Sequence, residues 1–335
     1  MCIEMLIDRL IKRITELSAP IVVGLDPRIN QIPSYMKEAA YAKRGRTPAA
    51  VAEMFLSFNR EIIDCVHDIV PAVKLQIAIY EQFGSAGIEA YLQTIHYAKE
   101  KGLIVIGDIK RGDIDSIAGA YSNMHIGRVD IQGESVEIAK TDFITVSPYM
   151  GFDSVEPYIS DCRKYDKGLF VLVKTSNKGS KDVQDVLMSS SREFFDYDER
   201  PEIPMPCPGC KITENLQPLY AHVGSLVETW GAEFVGEYGY SNIGAVVGVT
   251  HPQDAVELRK FMPSTFFLMP GYGTQGGSGK DLKDLWAKNY GAIVNNSRGI
   301  TGAYLTEKYK CDEKDFAKAS RQAVLDMKAD LEAFL

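Results

Sequence analysis

The sequence predicts a closed (β/α)8 TIM barrel, with residues 1–335 forming a single domain. Three observations carry that expectation. Eight short runs rich in Val, Ile, Leu and Phe punctuate the chain, segments of helical periodicity lie between several of them, and the functional-looking polar residues fall at or just after the C-terminal ends of the runs. Continuous apolar runs suit strands buried on both faces, and strand–helix alternation builds parallel βαβ units. In a barrel the C-terminal strand ends converge on one rim, whereas an open doubly wound sheet spreads them along an edge.

The runs are IVVGLD (21–26), AVKLQ (72–76), LIVIGDIK (103–110), FITVSPY (143–149), LFVLVKTS (169–176), GAVVGVT (244–250), FFLMPGY (266–272) and AIVNNSRG (292–299). At the N-terminus Ile3, Leu6, Ile7, Leu10, Ile14 and Leu17 recur at helical spacing, broken by Asp8, Arg9, Lys12, Arg13 and Glu16. That pattern is an amphipathic helix that packs on a body, not a secretory signal. Helical periodicity also marks 48–69, 86–100, 216–231, 252–262 and 313–334. The stretch between the fifth and sixth runs exceeds an ordinary barrel connection. Within it, residues 189–215 are polar and proline-punctuated, and read as a surface insertion between strands 5 and 6.

Bulk properties narrow the function class. A net charge of −8 and a pI near 5.3 argue against a nucleic-acid binder relying on a general basic field. No run approaches the roughly 20 apolar residues of a membrane helix. Six cysteines are too few in a chain this long for a disulfide framework, which favours a reducing cytoplasm. Cys207-Pro-Gly-Cys210 supplies half a zinc site at most, and none of the five histidines pairs with it at finger spacing. It reads first as an incidental loop pair, then as a partial metal site and last as a redox centre, and no metal is expected.

The third run ends in Asp108-x-Lys110-x-x-Asp113. Residues two apart on a strand share a face, so Asp108 and Lys110 are expected to enter the barrel mouth together. Lys74 interrupts the second apolar run, and adjacency of parallel strands would set it beside Asp108. An ion-pair network that only holds strands in register is the bland alternative. Desolvating two cations and two anions costs several kcal/mol per ion, and apolar replacement is often neutral or better for stability, so function is the stronger reason to keep the cluster.

These motifs, in this order, resemble those of orotidine 5′-phosphate decarboxylases. The likeness extends from GLDPR (24–28) through AVKLQ, DIKRGDI, TVSPYMG (145–151), KTSNKGS (174–180) and MPGYGTQGG (269–277) to NNSRGI (295–300). With its long insertion the chain is most similar to the larger bacterial members. The resemblance implies decarboxylation of orotidine 5′-phosphate to UMP with no cofactor. It makes Lys110 the proton donor to C6, sets Asp108 against the departing carboxylate, and completes the tetrad with Lys74 and Asp113. It implies a homodimer in which Asp113 reaches the neighbouring subunit's site. Asp26 would contact the ribose, with turn formation before Pro27 as its competitor, and Ser176 the pyrimidine edge. Four residues after Asp113 the family commonly has Thr, which touches the nucleotide across the dimer; Ile117 stands there instead, which by the resemblance would remove a hydrogen bond and weaken affinity more than the chemical step.

The glycine-rich loop PGYGTQGGSGKD and the strand end carrying Arg298-Gly299 are the expected phosphate grip, because loops after strands seven and eight are the usual phosphate site of such barrels. The resemblance assigns Gln275 and Arg298 to the 5′-phosphate. The loop is not a Walker A motif: Thr274 stands where its first Gly belongs, and Asp281 follows Lys280 where Ser or Thr should. Two rivals remain at this level: metal-assisted sugar-phosphate chemistry on the same Asp-x-Lys-x-x-Asp scaffold, and a catalytically idle nucleotide binder.

Overall fold

The computed structural model describes residues 4–189, 216–286 and 290–335. Eight parallel strands close into a barrel: β1 (Ile21–Gly24), β2 (Ala72–Gln76), β3 (Ile104–Arg111), β4 (Phe143–Val146), β5 (Gly168–Lys174), β6 (Ser241–Val247), β7 (Thr265–Pro270) and β8 (Ala292–Asn296). Each strand pairs with its sequence neighbours, and β1 closes the ring on β8 through Ile21↔Val294 and Val23↔Asn296. Every expected apolar run is one of these strands. Their near-complete burial follows from helices outside and packed side chains inside.

Helices Pro48–Val66, Gly84–Glu100, Leu219–Gly231, Pro252–Phe261 and Phe316–Glu332 stand where periodicity predicts them. Three more, Ser34–Arg44, Asp115–His125 and Glu156–Tyr165, are short and were not legible from periodicity. The strand–helix rhythm lapses once. Between β7 and β8 the described residues hold only a 3-10 turn, Gly279–Leu282, so that connection is free to serve the rim.

The N-terminal helix Leu6–Leu17 plugs the bottom of the barrel. Its Leu6, Ile7, Leu10, Ile11 and Ile14 pack in one cluster with the inward residues Val22, Ile106, Phe143, Phe170 and Ile293. Its first N–H groups lack intrahelical partners; Leu6 N donates to Asp166 Oδ1 at 3.0 Å and Ile7 N to Asn242 Oδ1 at 2.8 Å. The tilted Phe143–Phe170 pair, 5.0 Å between ring centres, depends on Gly168, where a Cβ would lie 2.2 Å from the Phe143 ring.

The insertion grows from a stem. Leu187–Ser189 pairs antiparallel with Leu216–Pro218, so the pattern read as wholly helical over 216–231 begins with a strand. The stem is tied to β5 by Lys174, fully buried, whose ammonium contacts Asp185, lies 3.4 Å from Asp254 and sits over the Tyr220 ring. Residues 190–215, including Cys207 and Cys210, lie outside the described residues. Among those described, no helix is long and apolar enough to cross a membrane.

Candidate active site

A cavity of about 670 Å³ opens at the C-terminal ends of the strands, a size that suits a small ligand. Asp26, Lys74, Asp108 and Lys110 line its β1–β3 side; Ser176, Gln275 and Arg298 line it from the ends of β5, β7 and β8. Seven of the nine expected site residues therefore share one pocket.

Asp108 is the hub. Its Oδ2 accepts from Lys74 Nζ at 2.8 Å and from Gln76 Nε2 at 3.1 Å; its Oδ1 accepts from Thr145 Oγ1 at 2.9 Å and from Lys110 Nζ. Four donors fill what one carboxylate can accept. Burial opposes ionisation of Asp108, but the Lys74 and Lys110 ammoniums outweigh it and hold the carboxyl well below its usual range. For Lys74, burial likewise favours the neutral form, and Asp108 with Asp26 overcomes it, so its pKa is raised. Lys74 therefore faces the cavity as a cation, and Lys110 makes its own ion pair with Asp108 beside it. They differ in access: the Lys74 side chain is 5% exposed and that of Lys110 is 43% exposed. Lys74 fixes the carboxylate; Lys110 can meet a ligand.

Lys110 reaches the pocket by a route that strand alternation did not anticipate. The pairing of β3 with β4 slips between Gly107 and Arg111, and Lys110 adopts a left-handed backbone with φ of 46°. A bulge, not simple alternation, aims it inward. Thr145 holds this geometry, accepting from Lys110 N at 3.0 Å while donating to Asp108.

Asp26 joins the array from β1. Its Oδ2 accepts from Ser297 Oγ at 2.7 Å and lies 3.7 Å from Lys74 Nζ, and its Oδ1 accepts from Gln76 N at 2.9 Å. These partners are on β2 and after β8, so the turn reading of Asp26 is not what its side chain does. Gly24 makes room: a Cβ there would sit 1.7 Å from Ser297 Oγ.

The glycine-rich loop leaves β7 at Pro270 and folds on itself, Gly273 N donating to Gly277 O at 2.8 Å and Gly276 N to Gly273 O at 2.8 Å. Gly271, Gly273 and Gly276 all have positive φ, a conformation that L side chains resist. Thr274 and Gln275 are thereby turned to the cavity, and Arg298 opens the short helix Arg298–Thr301 after β8.

Two expected residues do not line the cavity. Gly299 donates its N–H to Asn296 Oδ1 at 3.1 Å, and a Cβ would meet that side chain at 2.6 Å, so its glycine identity answers to packing. Asp113 lies past the end of β3, with Oδ1 accepting from Ile114 N at 2.9 Å. Sequence inspection also missed lining residues: Thr145, Thr175, Asn177, Asn295 and Ser297, and Gln76, which reaches Asp108. Gln76 was within reach, being two residues past Lys74 on one strand face; the others are small uncharged residues that interrupt nothing. Among the described residues no group of three or more His, Cys, Asp or Glu side chains is placed to hold a metal ion.

Comparison with known proteins agrees with this geometry. Residues 20–198 match the model of the orotidine 5′-phosphate decarboxylase / HUMPS family. The orotidine 5′-phosphate decarboxylase of Clostridium tetani is 42% identical over 328 residues, 98% of each chain. That of Petrotoga mobilis is 40% identical over 329 residues, covering 98% of this chain and 99% of its own. Among solved structures, Leishmania donovani OMP decarboxylase aligns over 97% of this chain and 99% of its own, with 27% identity and a TM-score of 0.63. A matching family model over more than half the chain and relatives this similar over nearly all of it lead to one conclusion: the chain belongs to the orotidine 5′-phosphate decarboxylase / HUMPS family.

Proposed function

We propose that this chain decarboxylates orotidine 5′-phosphate to UMP, a step of pyrimidine biosynthesis, with neither metal nor organic cofactor, and that Lys110 protonates C6. The observation that carries this is one cavity lined both by the Lys74–Asp108–Lys110 array and by Gln275 and Arg298. The bond from C6 to the carboxyl carbon breaks, CO₂ leaves, the electron pair stays on C6, and an N–H proton of Lys110 moves onto it. Asp108, held ionised, stands against the substrate carboxylate. The repulsion between them ends as CO₂ departs, while the attraction of the Lys110 ammonium for C6 grows.

One ion pair at 4 Å is worth about 4 kcal/mol at an effective dielectric of 20, and enzymes need roughly 8–23 kcal/mol, so Lys110 alone is insufficient. Remote binding supplies the rest: Gln275 and Arg298 grip the 5′-phosphate, Asp26 the ribose and Ser176 the pyrimidine edge. Closure of the glycine-rich loop over the substrate converts phosphate affinity into rate. Metal-assisted sugar-phosphate chemistry fits less well, because the Lys74 ammonium contacts Asp108 and lies near Asp26, the carboxylates a cation would need.

The test is direct. Purified protein treated with a chelator is expected to convert orotidine 5′-phosphate to UMP at an undiminished rate. Turnover that depends on added Mg²⁺ would favour the sugar-phosphate reading, and tight UMP binding without turnover the idle binder.

The same reading makes the chain a homodimer with Asp113 working across the interface. Ile114 and Ile117, each 51% exposed, stand one and four residues after Asp113, and Tyr149, Met150 and Phe152 are exposed in the connection after β4. Large apolar side chains exposed together mark an interaction surface. Subunits of Lys110→Ala and Asp113→Ala, each inactive alone, are expected to recover about a quarter of wild-type activity when refolded together. Half of randomly formed dimers are hybrids carrying one intact site. No recovery on mixing would show that Asp113 acts within its own chain. Cys65, Cys162 and Cys311 are free thiols, which supports placing the enzyme in the cytoplasm.

A further inference from the structure

A loop rich in glycine has little shape of its own, so something outside it must fix where Gln275 points. We propose that Asp330, on the C-terminal helix Phe316–Glu332, is a positioning residue that clamps both ends of the glycine-rich loop and so sets the geometry of 5′-phosphate capture. This rests on the decarboxylase reading of the cavity.

A single oxygen carries the clamp. Asp330 Oδ2 accepts from Tyr272 Oη at 2.6 Å and from Gly279 N at 2.7 Å. Tyr272 stands at the entry of the loop, two residues past the end of β7, and Gly279 at its exit, where the 3-10 turn Gly279–Leu282 begins. Between these anchors the loop closes by its own backbone contacts, Gly273 to Gly277 and a bridge between Tyr272 and Gly277. The exit is capped by Ser278 and Asp281, with Ser278 N donating to Asp281 Oδ2 at 2.8 Å. The loop is therefore pinned at its two ends and turned outward at its tip, where Thr274 and Gln275 line the cavity.

The close approach of the helix is itself built in. A Cβ at position 279 would lie 2.5 Å from the Asp330 carbonyl oxygen and 3.0 Å from the Phe334 ring, so a side chain there would push the helix end away. Burial, with the hydrogen bond to Asp330, pushes the Tyr272 phenol well above its ordinary range, so it remains a donor at any working pH. Hydrogen bonds to a carboxylate are about twice as strong as neutral ones. Two on one oxygen hold the segment from 272 to 279 as a hoop, and Gln275 is presented by that hoop.

A clamp that merely docked the helix would, when lost, weaken every ligand alike. Positioning of the phosphate grip predicts a selective loss. Affinities for UMP and for uridine are to be measured by titration calorimetry on wild type, Asp330→Ala and Asp330→Asn, with KM and kcat for orotidine 5′-phosphate. For Asp330→Ala, UMP affinity is expected to fall about tenfold, the scale of one charge-assisted hydrogen bond. Uridine affinity stays within about twofold, and Asp330→Asn, which keeps an acceptor oxygen, falls between wild type and Ala. Equal losses for UMP and uridine, or an unchanged ratio in both variants, overturn the clamp while leaving the decarboxylase reading intact. A wild type that binds uridine as tightly as UMP overturns the phosphate reading of the loop and the clamp with it. Should Asp330→Ala fail to fold, the Asp330→Asn ratio decides alone.

Discussion

Lys110→Ala is expected to lower turnover of orotidine 5′-phosphate by about four orders of magnitude or more while the barrel stays folded. In the proposed mechanism the change removes a proton donor, typically worth about 10²–10⁴ in rate, together with the cation nearest the forming carbanion, worth roughly 10²–10³ more. The fold tolerates it, because the Lys110 side chain is largely accessible and Asp108 keeps Lys74, Gln76 and Thr145 as donors. Lys110→Arg keeps the charge but is a weaker acid, since guanidinium pKa values exceed about 12. It is expected to recover the share owed to the cation and to remain about 10²–10⁴ below wild type. Steady-state rates with UMP affinity as a control decide the matter: a loss below a hundredfold would remove Lys110 from the proton step.

Asp108→Ala is the largest expected loss of stability. It strands Lys74, 4% exposed, without its main partner. Breaking a buried pair from one side costs about 3–5 kcal/mol, which should lower the thermal midpoint by about 5–10 °C. The pH dependence has a definite sign. The folded-state pKa of Asp108 is depressed, so its contribution is complete above the unfolded value near ~3.9 and is lost as pH falls below it. The acid limb of a stability–pH curve should therefore flatten in Asp108→Asn. The double replacement Lys74→Met/Asp108→Leu removes both charges and is expected to regain most of the stability with no turnover. Regained activity would mean that the array is structural only.

The barrel was legible because buried parallel strands have to be largely apolar, and the eight runs are. Charge made the ionic cluster at the rim legible: a lysine in the middle of AVKLQ or an aspartate closing LIVIG demands a reason. What charge could not reveal was the backbone beneath it. Alternation along β3 placed Asp108 and Lys110 on one face correctly, but by the wrong route, since the slip against β4 depends on pairing that a single strand does not encode. Thr145, Asn295 and Ser297 escaped notice because hydroxyls and amides at strand ends are common on any rim. Gly299 misled for the opposite reason: a glycine beside an arginine invites a phosphate, yet here it is Asn296 that comes close. The short helices 115–125 and 156–165 went unread because three turns or fewer give little periodicity to detect.

The backbone of Lys110 has a meaning for energetics that its side chain does not. A residue with a Cβ held at φ of 46° carries roughly 1–3 kcal/mol of local strain, small against the ~5–15 kcal/mol that keeps a protein folded. That strain is settled once, during folding, and not again at each turnover. Water would have to reorient around a nascent carbanion every time one formed, whereas in the proposed mechanism the Lys110 ammonium already faces it, held through the peptide N–H by the Thr145 hydroxyl. The protein thus carries a solvent shell that does not need to turn.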